Sequence, residues 1–307
     1  MQQRAFKQID VFTATPYFGN PLAVVLNGSG LDDAAMQRFA RWTNLSETTF
    51  VLPATQSTAD YRLRIFTPGG ELPFAGHPTL GSCHAWLEAG GQPKSKEFIV
   101  QECAKGLVNI RRDAGSNRLA FAAPSLTRST PSPALLAQVA NALGINAAQV
   151  TAAQLLDNGP VWLGLLLDSP ETVLQLLPNH QELAKLGVKV GVAGIYASPT
   201  SPLIARANRE AKAFTQTASD TTPDLEVRAF AACMGVNEDP VTGSLNASLA
   251  QWLMADGLMP HIYTVSQGVC LGRAGLVDLQ RDENGEHKGQ VWVGGQSVTC
   301  IDGVVTL

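Results

Sequence analysis

One unit occurs twice in this sequence, and a chain that builds the same unit twice has few architectures open to it. Residues 71–91 read ELPFAGHPTLGSCHAWLEAGG, and residues 239–257 read DPVTGSLNASLAQWLMADG. Superposed without gaps, Gly243 falls on Gly76, Ser244 on His77 and Gly257 on Gly90, with Trp252 one place from Trp86. The segments before them match as well. YRLRIF at 61–66 and LEVRAF at 225–230 both alternate arginine with apolar residues, the period of a half-buried strand. Each half therefore reads as strand, loop, Gly-polar turn and helix.

The turns matter for function. At a helix start the backbone N–H groups lack intrahelical partners, and the peptide dipoles add partial positive charge. Two such starts can clasp one anion. Pro78 suits a first helical turn, and Gly76 and Gly243 are expected to let a ligand approach the backbone. Both helices read as buried: Leu80, Cys83, Trp86 and Leu87 in one, and Leu245, Leu249, Trp252 and Leu253 in the other, recur at helical spacing among small residues. A helix with so little charge on any side is one surrounded by protein.

At 307 residues the chain exceeds what one core usually serves, so two domains are expected. The stretch 124–133, PSLTRSTPSP, is the natural linker,. It divides a domain at 1–123 from one at 134–307, the last strand being free to pair across to the first. A hydrophobic content of 45%, a charged content of 16% and a net charge of −4 describe a compact protein without the basic footprint of nucleic-acid binding. The N-terminus lacks an apolar signal core, and the longest apolar run, at 162–167, is too short to span a bilayer,. A cytoplasmic protein with no membrane partner is expected.

The five cysteines, at 83, 103, 233, 270 and 300, are scattered and free of CxxC spacing, so neither a disulfide framework nor a zinc site is indicated, and most read as small core hydrophobes. His77 and His84 lie two turns apart on one helix with no third ligand, so no metal is expected. Nothing forms a phosphate loop or dinucleotide fingerprint, and Ser244 is not in a GxSxG elbow, so nucleotide cofactors and serine hydrolysis are not expected.

Along the chain, strands are predicted at 7–10 and 23–26 around Gly19-Asn20-Pro21, then a helix capped by Asp32 or Asp33 and ending at Asn44. Glu47 lies just before a strand at 50–52. Further strands are expected at 97–102, 107–112 and 119–122. In the second half the pattern predicts helices at 135–143, 171–177 and 180–186 and strands at 161–167 and 190–197. Residues 203–224, with Arg206, Arg209 and Lys212, read as a surface excursion. Short strands follow at 262–267, 270–273, 276–281, 291–293 and 296–301. Asn20 and Gln267 read as residues that close turns.

GNP (19–21), SETTFV (46–51), PFAGHPTLG (73–81), EDPVTGS (238–244) and QGVCLGR (267–273) make the chain resemble the phenazine-biosynthesis PhzF-like family over essentially its whole length. The resemblance implies an α+β fold of the diaminopimelate epimerase type: two pseudo-symmetric domains, each a curved mixed sheet or barrel around a central helix, with one site in the cleft between them. It also implies cofactor-free proton transfer next to a carbonyl or carboxylate of a small acid, and a homodimer. The family's glutamate acid/base matches Glu47, and its supporting residues match His77, Asp239 and Ser244. Related racemases and epimerases carry a cysteine in each turn where this chain has His77 and Ser244, which argues against thiol-based epimerisation.

The leading expectation is an isomerase in which Glu47 moves a proton, with the substrate anion at Gly76-His77 and Gly243-Ser244 and the Ser244 hydroxyl helping to hold developing charge. His77 and Asp239 would relay or place protons. The alternatives are an amino-acid-type racemase or epimerase, and a binding protein of the same fold without a catalytic task. For each residue an ordinary role competes: a capping carboxylate for Glu47, an N-cap or core histidine for His77, a helix cap for Ser244 and a turn residue for Asp239.

Overall fold

A computed structural model describes residues 2–113, 118–196 and 222–307. The excursion expected at 203–224, with Arg206, Arg209 and Lys212, lies outside the described residues up to 221. The first half runs β1 (Gln3–Val11), β2 (Asn20–Val25), α1 (Asp33–Thr43), β3 (Thr48–Leu52), β4 (Tyr61–Phe66), β5 (Glu71–Leu72), α2 (Gly76–Glu88), β6 (Ile99–Cys103), β7 (Gly106–Arg112), β8 (Leu119–Ala122) and β9 (Thr127–Ser129). The second runs α3 (Pro133–Leu143), β10 (Val150–Asp157), β11 (Val161–Leu167), α4 (Pro170–Gln175), α5 (His180–Leu186), β12 (Lys189–Ile195), β13 (Leu225–Ala231), β14 (Val236–Asp239), α6 (Gly243–Ala255), β15 (Ile262–Gln267), β16 (Gly275–Arg281), β17 (Val291–Gly295) and β18 (Ser297–Thr306).

Strand pairing shows the repeat directly. In the first half β1–β2 is antiparallel, β2–β3 parallel, β3–β4 antiparallel, β4–β6 parallel, and β6–β7 and β7–β8 antiparallel. In the second, β10–β11, β11–β12, β12–β13, β13–β15, β15–β16 repeat that order of directions, and β16–β17 completes it. The halves meet where β8 pairs with β17. Each also lends a strand to the other: β9 pairs with β10, and β18 with β1. The fold is thus α+β and pseudo-symmetric, with one helix enclosed by each set of strands.

The enclosed helices are α2 and α6, and their composition explains the position. Leu80, Cys83, Leu245, Leu249 and Leu253 are fully buried, and Trp252 nearly so, in one apolar cluster that runs through both halves. Small residues let strands close around both helices, while burial of each large apolar side chain contributes roughly 1.5–3 kcal/mol. A second cluster, around Leu163, Val190 and Phe230, packs beneath α3, α4 and α5, and a third joins α1 to Phe50 and Phe66.

Several expectations need correction. Residues 270–273 are not a strand: Val269–Leu271 is a 3-10 turn between Gly268 and Gly272, both left-handed at φ 98° and 68°. The Pro/Ser/Thr-rich stretch is not wholly a linker, since Thr127–Ser129 is β9. Of the cysteines only Cys83 and Cys103 are buried, and Cys270 is exposed. Among the described residues no helix is long and apolar enough to cross a membrane.

Candidate active site

Glu47 occupies the joint between α1 and β3. Asp32 caps α1 by accepting from the Ala35 amide, and the helix stops at Asn44, whose left-handed backbone (φ 54°) turns the chain back,. Thr43 and Thr48 hydroxyls meet at 2.8 Å across the joint, and one residue further Thr49 Oγ1 lies 2.8 Å from Ser82 Oγ on α2. These contacts hold Glu47 near the start of α2. Its Oε2 is 3.4 Å from Nε2 of His77, and 15% of the Glu47 side chain is exposed against 6% for His77. Both facing atoms are buried and unsatisfied, so the approach is close without being a formed hydrogen bond,.

From the second half, Asp239 ends β14 and sits within a dense polar network. Asn20 Nδ2 donates to Asp239 Oδ1 at 3.0 Å and to the Val241 carbonyl at 2.9 Å, and lies 3.4 Å from His77 Nδ1. Thr242 Oγ1 donates to Asp239 Oδ2 at 2.6 Å, and Gln267 Nε2 donates to the Asp239 carbonyl at 3.1 Å. Gln267 Oε1 in turn accepts from the Thr242 amide and from Asn246 Nδ2. Asn20 and Gln267 have no exposed surface. They therefore do more than close turns: each joins segments far apart in the chain, a role a turn-like GNP or a strand-end glutamine does not announce in sequence.

Burial governs the charges here. It pushes the Glu47 carboxyl up to about 8, reinforced by the negative charge of Asp239,. Asp239 is raised to about 6, again by burial, with the Thr242 and Asn20 hydrogen bonds opposing the rise and Glu238 adding to it. His77 falls to about 3 because burial disfavours its cation. Near neutral pH the site thus holds a neutral imidazole beside two carboxyls, with the Asp239 charge helping to keep Glu47 protonated.

The two helix starts meet back to back. A Cβ on Gly243 would lie 3.1 Å from the Gly76 Cα and 3.3 Å from the His77 amide nitrogen, and one on Gly76 would lie 2.7 Å from the Phe121 ring. The glycines are needed for helix-to-helix contact, a different reason from the ligand approach expected above. Neither helix start carries a side-chain cap. Ser244 follows in the same turn: its Oγ accepts from Trp162 Nε1 at 3.1 Å and its carbonyl from Asn158 Nδ2 at 2.9 Å. Asn20 thus joins His77 to Asp239, and Glu47 faces the other ring nitrogen of His77, with Ser244 in the turn beside Gly243. Among the described residues no group of three or more His, Cys, Asp or Glu is placed to hold a metal ion.

The chain has relatives among known proteins. A family model described as phenazine biosynthesis-like protein matches residues 9–303. Antisense-enhancing sequence 1 of Schizosaccharomyces pombe is 37% identical over 99% of both chains. The trans-2,3-dihydro-3-hydroxyanthranilate isomerase of Pseudomonas fluorescens is 31% identical over 97% of this chain and 98% of that one. Among solved structures, a PhzF-family protein of Bacillus anthracis superposes with a TM-score of 0.81 at 21% identity, covering 100% of both chains; that likeness speaks for the fold.

Proposed function

The chain belongs to the phenazine biosynthesis-like protein family and is an isomerase, and we propose that it moves a proton next to a carbonyl or carboxylate of a small acid without a cofactor, using Glu47 as the acid/base. The observation that carries the reading is the Glu47 carboxyl, raised to about 8 and facing His77 beside Asp239. A carboxyl tuned that high is basic enough, once ionised, to attack a weak carbon acid. Glu47 takes the proton, and the C–H electron pair flows into the conjugated acid as an enolate. The same carboxyl returns the proton to a second carbon.

Charge that develops on the substrate needs a donor. In this reading the amides opening α2 and α6, which no side chain caps, supply it, each well-placed donor being worth on the order of 10²- to 10³-fold. Trp162 uses one lone pair of Ser244 Oγ, so the hydroxyl hydrogen remains available to the substrate. A two-base epimerase needs its second base across the substrate from the first, whereas His77 stands 3.4 Å from Glu47 and on the same side.

The first compound to test is the substrate named for the Pseudomonas fluorescens relative, followed by other small unsaturated cyclic acids, with exchange of carbon-bound hydrogen followed in deuterated water. Glu47→Gln is expected to lose roughly 10²- to 10⁴-fold while keeping ligand affinity; equal exchange in the two proteins ends the idea. Because the ionised carboxyl is the base, kcat/KM should rise with pH and level off above about 8. A non-catalytic binding protein would show affinity and no exchange in either form. We also propose assembly as a homodimer, which sedimentation equilibrium tests.

A further inference from the structure

Asn20 contacts Asp239 and the His77 ring whose far nitrogen faces Glu47, and its amide chemistry dictates more than position. Its Nδ2 hydrogens go to Asp239 Oδ1 at 3.0 Å and to the Val241 carbonyl at 2.9 Å. Turning the amide over would set its oxygen against two acceptors, so the orientation is fixed by those partners. His77 Nδ1, 3.4 Å from the same Nδ2, then faces a group that donates and cannot accept. A proton on Nδ1 would meet N–H bonds, and a lone pair there meets none of that repulsion.

We infer that Asn20 is a positioning residue that fixes the tautomer of His77, holding its single proton on Nε2, where it faces Oε2 of Glu47. Three consequences follow. When Glu47 ionises, the imidazole N–H can close the 3.4 Å gap and donate to the carboxylate,. Since Nε2 already carries a proton, His77 does not serve as the base there. And since Oε2 is the buried oxygen while part of the carboxyl side chain reaches solvent, the proton exchanged with a substrate travels on Oε1. The lowered pKa of His77 agrees, because the imidazole stays neutral through the working range.

An independent observation lies in the loop that delivers Asn20. Phe12 and Tyr17 are left-handed without being glycine, at φ 65° and 76°, conformations that persist only where surroundings over-determine them. The surroundings do so here. Leu276 N donates to the Phe12 carbonyl at 2.8 Å, Thr13 N to the Gln296 carbonyl at 3.1 Å and Ala274 N to the Phe18 carbonyl at 2.8 Å. Arg273 donates to the Tyr17 and Gly19 carbonyls, and Asp10 accepts from the Gly19 amide. A loop of the first half is thereby clamped onto the second, and Asn20, the first residue of β2 after it, is set between His77 and Asp239.

The tautomer can be read directly, apart from any assay. In wild-type protein labelled with ¹⁵N-histidine, long-range ¹H–¹⁵N correlation separates a protonated from a bare ring nitrogen, and His77→Gln assigns the signal among the five histidines. The expected spectrum has Nε2 protonated and Nδ1 bare from pH 5 to 9, a range in which Glu47 and Asp239 supply the titrating charge and Glu238 is paired with Arg228. An Nδ1–H signal, or a mixture, overturns the inference. Asn20→Asp replaces the donor with an acceptor and should move the proton to Nδ1; a spectrum unchanged from wild type also overturns it. Asn20→Ala should lift the rising limb of kcat/KM by about one pH unit through loss of the aligned donor to Glu47, where a purely structural role would lower the plateau at an unmoved midpoint. The role in turnover rests on the reading of Glu47 above, but the tautomer does not: failure of Glu47→Gln to slow exchange, with the Nε2–H spectrum intact, would sink that reading alone.

Discussion

The strands that lead into the two central helices carry the same clamp in different surroundings. In the first half Arg64 grips both oxygens of Glu71 at 2.7 and 2.6 Å and lies over the Phe66 ring at 5.0 Å. In the second Arg228 grips both oxygens of Glu238 at 2.9 and 2.8 Å and lies over Phe230 at 5.1 Å. The spacing is the same because residues two apart on a strand share a face. Burial separates them: Arg228 and Glu238 side chains are 5% and 7% exposed, against 17% and 36% for Arg64 and Glu71. The cause is α4 and the residue that ends it: the Val173 and Leu176 carbonyls accept from Arg228 Nη1; Arg64 instead turns its spare donor to exposed Asp33. One device inherited twice thus stands in two dielectrics.

The largest effect should come from breaking the buried copy. Arg228→Ala strands Glu238 without a partner and leaves the Leu176 carbonyl, at the end of α4, without its side-chain donor, for an expected loss of about 3–5 kcal/mol in urea unfolding. Because Glu238 already raises Asp239, the unpaired charge should also push Asp239 further up and shift the pH profile. A loss below 1 kcal/mol would mean that the clamp's burial carries no energetic weight.

Next come the glycines at the helix contact, where the halves again differ. Gly76→Ala drives a methyl into the fully buried Phe121 ring at 2.7 and 2.9 Å, while Gly243→Ala meets backbone at 3.1 Å and beyond. Overpacking of this kind costs about 1–3 kcal/mol, and Gly76→Ala should lie at the upper end. Melting temperatures of the pair check the order; a larger drop for Gly243→Ala would reverse it.

What the sequence made legible divides along the same line. The duplicated strand-turn-helix was readable because it rests on local signals: apolar alternation in YRLRIF and LEVRAF, and glycine followed by a polar residue at each helix start. β10 escaped because VTAAQLLD lacks a period of two, most of its residues being partly buried on both faces. β9 escaped because all three of its residues are exposed and polar; its partner β10, not its composition, makes it a strand. In the site, Glu47, His77 and Asp239 stood out by chemistry and family motif. Asn20 did not, since its meaning lies in contacts to residues 57 and 219 positions away, and the burial difference between the two clamps depends on α4, which no pattern around Arg228 reveals.

The smallest effect, and the sharpest test of the contrast, belongs to the exposed clamp. Arg64 bridges Asp33 on α1 and Glu71 on β5, so it joins three elements, and by bond count alone its loss should rival that of Arg228. Solvent argues otherwise: water can re-solvate Glu71 and Asp33, and ions screen both pairs, so Arg64→Ala should cost only about 0–1 kcal/mol, shrinking further in high salt. A double-mutant cycle between Arg64 and Glu71, run beside one between Arg228 and Glu238, isolates the coupling in each. Equal coupling energies would place the difference between the halves in something other than the water each clamp excludes; a several-fold larger, salt-insensitive coupling for the buried pair would assign it to the cover that α4 provides.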